Sequence, residues 1–374
     1  MKISHDLSVG LRIAGLISIL GIVVIHYHTQ PFTGTFTVNY VVQEFLHNIV
    51  ARSSVPVFAF LSGLFFFQGN SFSLEGLGKK LNKRIHTILI PVLFVVICIW
   101  SWDVFQVVVL QGGKIDWSIK NILVKWFFYP SGSQFWFVRD LFILFFFSPY
   151  IYLLLKKFRL LFVFFLMMLW VLDFQPFPRW EHFYFINNDT FTFFTLGAYI
   201  SLFGSEARVR SCLTPSSWKL YVFVLIYLVV ACIRIYLEPR MSTWYVPVYK
   251  WHTLLMQKFV TLEGVYLCIV LSFALAKSKA RNIIFRLSGY SFFIFLIHDY
   301  PLKSYLYSFL AEAGVSSIWM FYVRYLVAIL FMFVLAIVLE YLFPRFFTWL
   351  NGGRNIRLGG WDKRVDVQEK AYNG

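Results

Sequence analysis

The sequence predicts an all-α, polytopic membrane helix bundle of about ten transmembrane helices, with both termini cytoplasmic. Three observations carry that prediction. Of 374 residues, 59% are hydrophobic, 21% aromatic and only 14% charged, a balance too apolar for an ordinary soluble domain. Apolar runs near the ~20 residues that a helix needs to cross a bilayer recur along almost the whole chain. Lysine and arginine gather in alternate loops, as cytoplasmic loops require.

The spans are expected near residues 11–28, 53–68, 87–110, 135–155, 159–174, 190–204, 218–236, 254–276, 287–308 and 319–343. The first, ending in "GIVVIHYHTQ", follows a polar start with Lys2, His5 and Asp6 and no small-residue cleavage site, so it reads as a retained span and not a cleaved signal. The second begins with "ARSSVPVFAFLSGLFFF" and the fourth with "QFWFVRDLFILFFFSPYIY". The fifth and sixth are short. The ninth carries Gly289, His298, Asp299 and Pro301, which favour a kink or a break.

Charge orders these spans. Lys79, Lys80, Lys83 and Arg84 follow span two; Lys156, Lys157 and Arg159 follow span four; Arg208, Arg210 and Lys219 follow span six; Lys277, Lys279, Arg281 and Arg286 follow span eight. Arg354, Arg357, Lys363 and Arg364 follow span ten, so an even number of spans with both ends inside satisfies every loop. The reading is one membrane domain over residues 1–345 and a polar, basic cytoplasmic tail over 346–374.

The same topology accounts for the net charge of +16. Basic residues spread over separate loops make no patch or stripe for nucleic acid, and anionic lipid is the simpler partner. Cys98, Cys212, Cys232 and Cys268 sit singly in or beside apolar segments without metal-type spacing, so they are assigned to packing and no metal site is expected.

Within this topology, polar groups converge. Arg12 enters the membrane on the cytoplasmic side, and His26 stands fourteen residues on, about 21 Å higher and on nearly the same helix face. Arg52 starts the second span at the outer level of His26, with few carboxylates near it in sequence. Trp136, Arg139 and Asp140 open the fourth span at that level; adjacent arginine and aspartate point about 100° apart, so each is expected to need another partner. Ser62 and Gly63 form a small patch that suits close helix packing or a substrate. His298 and Asp299 lie in the middle to outer part of the ninth span. The loops from Gln111 to Ser133 and from Asp173 to Asp189 are long enough to cover a site.

Taken in order, "LRIAGLISILGIVVIHYH", "RSSVPVFAFLSGLFFF", "KKLNKRIHTILIPVLF", "FWFVRDLFILFFFSPYIY" and "GYSFFIFLIHDYPL" resemble the acyltransferase family 3 membrane proteins, over about residues 8–345. Within that family they are most similar to the bacterial polysaccharide O-acetyltransferases related to the enterobacterial common antigen enzyme. The resemblance implies transfer of an acyl group, usually acetyl from acetyl-CoA, to a hydroxyl of a glycan in the bacterial cytoplasmic (inner) membrane. His26 matches the family's first-span histidine. The arginine that accompanies it usually stands about three turns upstream, where this chain has Gly15; Arg12 lies one turn further towards the cytoplasm.

The residues suit that chemistry. A sugar hydroxyl is a weak nucleophile at neutral pH, and a histidine can take its proton as it attacks a thioester. His26 is the expected general base, with Asp140 or Glu44 as orienting carboxylate. Arg52 and Arg139 are expected to hold the oxyanion or an acceptor phosphate. Trp136, Ser62 and Glu44 are expected to meet the acceptor, while Arg12, Lys83 and Arg84 are expected to bind the phosphates of CoA. Because CoA is cytoplasmic and the base lies near the outer surface, either the CoA arm threads into the bundle or the acetyl passes through a residue such as His298; threading is the simpler route. Partners are then a lipid-linked or surface saccharide, acetyl-CoA and membrane lipid, with a second copy of the chain as a further candidate. A transporter or flippase of a lipid-linked sugar is the alternative.

Overall fold

Helices take up nearly all of the described residues, as the apolar composition requires of a backbone that must satisfy its own hydrogen bonds in lipid. The computed structural model describes residues 3–27, 32–69, 74–114, 118, 133–177, 179–180, 183–242 and 248–354. Among these, six helices are long and apolar enough to cross a bilayer: α1 (His5–His26), α2 (Val38–Phe66), α3 (Gly76–Leu110), α9 (Ser217–Leu237), α10 (Trp251–Ala276) and α14 (Ser317–Leu342). A seventh crossing is bent. It joins α4 (Trp136–Phe146) to α5 (Ser148–Phe158) at 63°, because Pro149 in the first turn of α5 has no N–H to bond back into α4.

The remaining expected spans are shorter than a full crossing. They are α6 (Leu160–Val171) and α7 (Asn188–Phe203), separated by a two-residue strand pair, β1 (Arg179–Trp180) and β2 (Phe183–Tyr184). Short helix α8 (Glu206–Leu213) precedes α9, and α11 (Arg281–Ser288) follows α10. The ninth span is broken, as its Gly, His, Asp and Pro residues foretold: α12 (Ser291–Ile297) stops, His298 to Pro301 form the break, and α13 (Leu302–Glu312) resumes.

Helix α1 is the axis of the bundle. It packs against α2, α10, α11, α12 and α14, and Leu7, Ile13, Ala14, Ile19 and Val23 along it have no accessible surface. A helix apolar on every side belongs in the interior. The most extensive pairing is that of α2 with α7. There Gly63 faces the backbone of Phe194 and Gly197 faces the backbone of Phe60, so closely that a Cβ on either glycine would lie 2.0 or 2.1 Å from a carbonyl oxygen. The small patch at Ser62 and Gly63 is thus a helix contact, and half-buried Ser62 sits beside it. By contrast α9 and α14 turn large apolar side chains such as Tyr221, Leu225, Leu326 and Val334 outwards, as lipid-facing helices do.

The described residues after 345 pack on the bundle. Helix α15 (Pro344–Leu350) buries Phe347 and Leu350 in the main core, and Asn351 after it is fully buried.

Candidate active site

The break between α12 and α13 faces the last turn of α1. His26 Nδ1 lies 3.4 Å from Asp299 Oδ2, and the other oxygen of Asp299 lies 3.3 Å from Lys303 Nζ. Asp299 is almost completely buried, whereas the imidazole of His26 keeps 18% of its surface. A carboxylate placed behind an accessible imidazole holds the ring proton on Nδ1 and leaves Nε2 as the basic atom. His298 packs its ring against His26 at 5.0 Å between centroids, with its own Nδ1 2.9 Å from the Phe295 carbonyl oxygen. Its buried Nε2 has no hydrogen-bond partner among the described residues.

Two further elements steady this end of α1. Residues Phe45–Val50 of α2 form a π-helical turn, and His47 on it reaches the carbonyl of Ile25 at 2.9 Å. The Tyr27 hydroxyl donates to the carbonyl of His298 at 3.1 Å, and buried Arg324 of α14 stacks between the rings of Tyr27 and Tyr307. Lys303, His47 and Arg324 were not among the residues that sequence reasoning selected, and Asp299 was noted beside His298 but not as the partner of His26. A signal existed for Arg324, since an arginine within an apolar span is expensive unless it has work to do.

The fourth span arrives at the same level, on another face. Gln134 donates to the carbonyl of Leu296 at 3.4 Å, and Phe135 meets Phe295. Asp140 does not orient His26. One of its oxygens takes both Nε and Nη2 of Arg139, at 3.2 and 2.9 Å, and the other accepts from the backbone N–H of Asn187 at 2.8 Å. The expectation that Arg139 and Asp140 would ignore each other fails because an arginine side chain is long enough to fold back over the 100° between neighbours. Trp136, half-buried, lies edge-on to Phe137.

Glu44 is likewise engaged elsewhere, accepting from Arg234 at 2.5 Å and from Asn48 at 2.7 Å. Arg52 faces the carboxylates of Asp189 and Asp173, from segments far from it in sequence, and the guanidinium of Arg234. Asp173 in turn holds Lys258 at 2.9 Å, and Asp189 accepts from Trp170 at 2.5 Å. The outer-level groups expected in one constellation therefore form two: His26 with the α12–α13 break, and a neighbouring ladder in which Arg139 pairs with Asp140, Asn187 links Asp140 to Asp189 by hydrogen bonds, and Arg52 faces Asp189 and Asp173, the latter paired with Lys258. His28 lies outside the described residues.

The family model for an acyltransferase domain, acyltransferase 3, matches residues 11–341. The chain belongs to that family. No curated protein and no solved structure matches it. With its apolar crossings, the protein is a multi-pass membrane acyltransferase.

In this acyltransferase the opposite end of α1 is basic. Arg12 lies over the ring of Phe285 at 5.4 Å and Arg84, on α3, over Phe145 at 6.0 Å. Lys83 beside it is exposed. Fourteen residues of continuous helix, about 21 Å, separate Arg12 from His26. Gly15, at the position where the family arginine usually stands, has only Leu61 near its absent Cβ, at 4.0 Å. Among the described residues no group of three or more His, Cys, Asp or Glu side chains is placed to hold a metal ion.

Proposed function

We propose that this acyltransferase transfers acetyl from acetyl-CoA to a hydroxyl of a surface polysaccharide or lipid-linked glycan in the bacterial cytoplasmic membrane. The observation that carries the reading is the His26–Asp299 pair at the end of the buried α1 helix, with an imidazole open to a ligand and a carboxylate sealed behind it. Asp299 replaces Asp140 and Glu44 as orienting carboxylate, and Lys303 brings a positive charge to the same aspartate.

In this mechanism the acceptor hydroxyl gives its proton to Nε2 of His26 as its oxygen attacks the thioester carbonyl. The tetrahedral oxyanion is stabilised by fixed cations at that level, of which Lys303 and Arg324 lie nearest the pair and Arg139 and Arg52 lie in the neighbouring ladder. Collapse breaks the C–S bond. The thiolate takes the proton that His26 received from the hydroxyl, and an acetyl ester and free CoA leave. Arg12, Arg84 and Lys83 would hold the CoA phosphates at the basic end, so that the pantetheine arm runs beside α1 towards His26. His298, buried and ring-packed on His26, is better placed to shape the base than to carry an acetyl group.

The test is a comparison of surface-polysaccharide O-acetylation in cells with and without the protein, followed by transfer of labelled acetyl from acetyl-CoA in purified membranes. Label must appear in an alkali-labile ester of a glycan and vanish with His26→Ala. A protein that moves a lipid-linked sugar across the membrane without forming that ester is a transporter, and the reading falls.

A further inference from the structure

The short sequence "NGGR" at residues 351–354 lies beyond the segment matched by the family model, and it is built into the basic end of the bundle. Asn351 is fully buried. Its Nδ2 donates to the carbonyl of Gly289 at 2.9 Å, and its Oδ1 accepts from the N–H of Phe293 at 3.1 Å. Gly352 and Gly353 follow with φ of 71° and 77°, a conformation that side chains resist. A Cβ on Gly352 would also lie 2.6 Å from the carbonyl oxygen of Thr87, one turn after Arg84. Two helix systems thus clamp this turn, and only glycine fits between them.

The clamp delivers Arg354. Its guanidinium lies over the ring of Phe292 at 5.9 Å, so three arginines from three distant segments, Arg12, Arg84 and Arg354, each rest on an aromatic face at one end of the bundle. Among the described residues no carboxylate pairs with Arg84 or Arg354. Arg354 keeps accessible surface. Even so, burial, and then repulsion from Arg12 and Arg84, draws its guanidinium down to about 10. Three guanidiniums held on aromatic faces, close enough to repel one another, suit an anion carrying more than one charge.

We propose that Arg354 is a third phosphate ligand, which joins Arg12 and Arg84 to bind the multiply phosphorylated nucleotide end of the acyl donor. This rests on the acetyl-CoA reading above. Three forked donors on rigid aromatic supports suit a ligand with phosphates at separated positions, better than the single phosphate of a lipid headgroup. The turn that carries Arg354 is then part of the donor site, although it lies outside the matched domain.

The experiment measures equilibrium binding of tritiated CoA to the purified full-length protein in nanodiscs of zwitterionic lipid, with 3′-dephospho-CoA and phosphatidylglycerol as competitors. Loss of one charge-assisted phosphate contact weakens binding about 10- to 100-fold. Arg354→Gln should show that loss, Arg354→Lys should recover part of it, and Asn351→Ala should resemble Arg354→Gln because the turn is no longer held. Size-exclusion profiles and thermal unfolding check that each variant is folded, and the exposed guanidinium makes Arg354→Gln the safest of the three. Equal CoA affinity in wild type and Arg354→Gln overturns the proposal. So does displacement of CoA by phosphatidylglycerol alone, or an absence of CoA binding by wild type. If CoA binds through Arg354 while membranes form no acetyl ester, the phosphate site stands and the proposed acetyl transfer fails.

Discussion

His26 and Asp299 reach each other from opposite ends of the chain, Nδ1 to Oδ2 at 3.4 Å, because the break after α12 turns a buried aspartate towards the last turn of α1. Removing the charge while keeping the shape separates orientation from packing. Asp299→Asn is expected to lower kcat for acetyl transfer by about 100-fold or more with little change in KM for acetyl-CoA, and His26→Ala to abolish transfer while leaving the protein inserted. Both are read from labelled acetyl-CoA in membranes, normalised to protein detected by blot. Wild-type kcat in Asp299→Asn would make the carboxylate a packing element only.

Asp140 makes a different prediction, since both its oxygens are spent on structure. It ties Arg139 to the N–H of Asn187, at the cap of α7. Removing one member of a buried ion pair typically costs about 3–5 kcal/mol. Asp140→Ala should therefore lower both the unfolding temperature in detergent and the activity, and Arg139→Ala should follow it. His28→Ala should keep most activity. If Asp140→Ala loses transfer with an unchanged unfolding temperature, the aspartate acts on substrate.

How much of this was legible beforehand depends on whether a pattern is local. The first two crossings, the break of the ninth span and the helical class follow from apolar length and from Pro301. The 63° bend at Phe147 had a local signal in Pro149, within a stretch read as one span, and the shortness of α6 and α7 left their status open. In the site, His26 was conspicuous because a histidine ends an otherwise apolar helix. Asp299 was visible as a residue but not as a partner, since no spacing rule connects α1 to a helix break so distant in the chain. Arg139 and Asp140 were misread through a rule about helix directions that ignores side-chain length. Arg354 looked like one more basic residue of a tail, because the burial of Asn351 that positions it is a property of the fold alone.

Close packing of α2 on α7 gives a prediction independent of chemistry. A methyl on Gly63 or Gly197 would strike backbone oxygens of the partner helix, which cannot swing aside as a side chain can. Gly63→Ala and Gly197→Ala should each reduce the amount of folded protein and its thermal midpoint. Gly15→Ala should be neutral or stabilising by up to about 1 kcal/mol, because Gly15 has room for a methyl and alanine favours a helix. Equal behaviour of the three would mean that α2 and α7 do not meet this closely.

Sidedness decides whether an acetyl group has to cross the membrane at all. Helix α3 runs for 35 residues from Gly76 to Leu110, about 50 Å, which exceeds the ~30 Å of hydrocarbon, so its two ends lie on opposite sides of a bilayer. Arg84 marks its basic end. Asp103 marks the other end, because it accepts from the hydroxyl of Tyr300 beside Asp299 at 2.5 Å, which ties that end of α3 to the His26 site. On a background with Cys98, Cys212, Cys232 and Cys268 replaced, Lys114→Cys should react with an impermeant maleimide in intact cells, and Lys79→Cys only after the cells are permeabilised. That outcome places the base on the outer side and the phosphate-binding arginines with the cytoplasmic CoA pool, as the density of lysine and arginine in the first turns of α3 demands. The reverse pattern would set His26 on the cytoplasmic side. The donor arm would then have no membrane to cross, and a cytoplasmic acceptor would replace the surface glycan as the substrate to be sought.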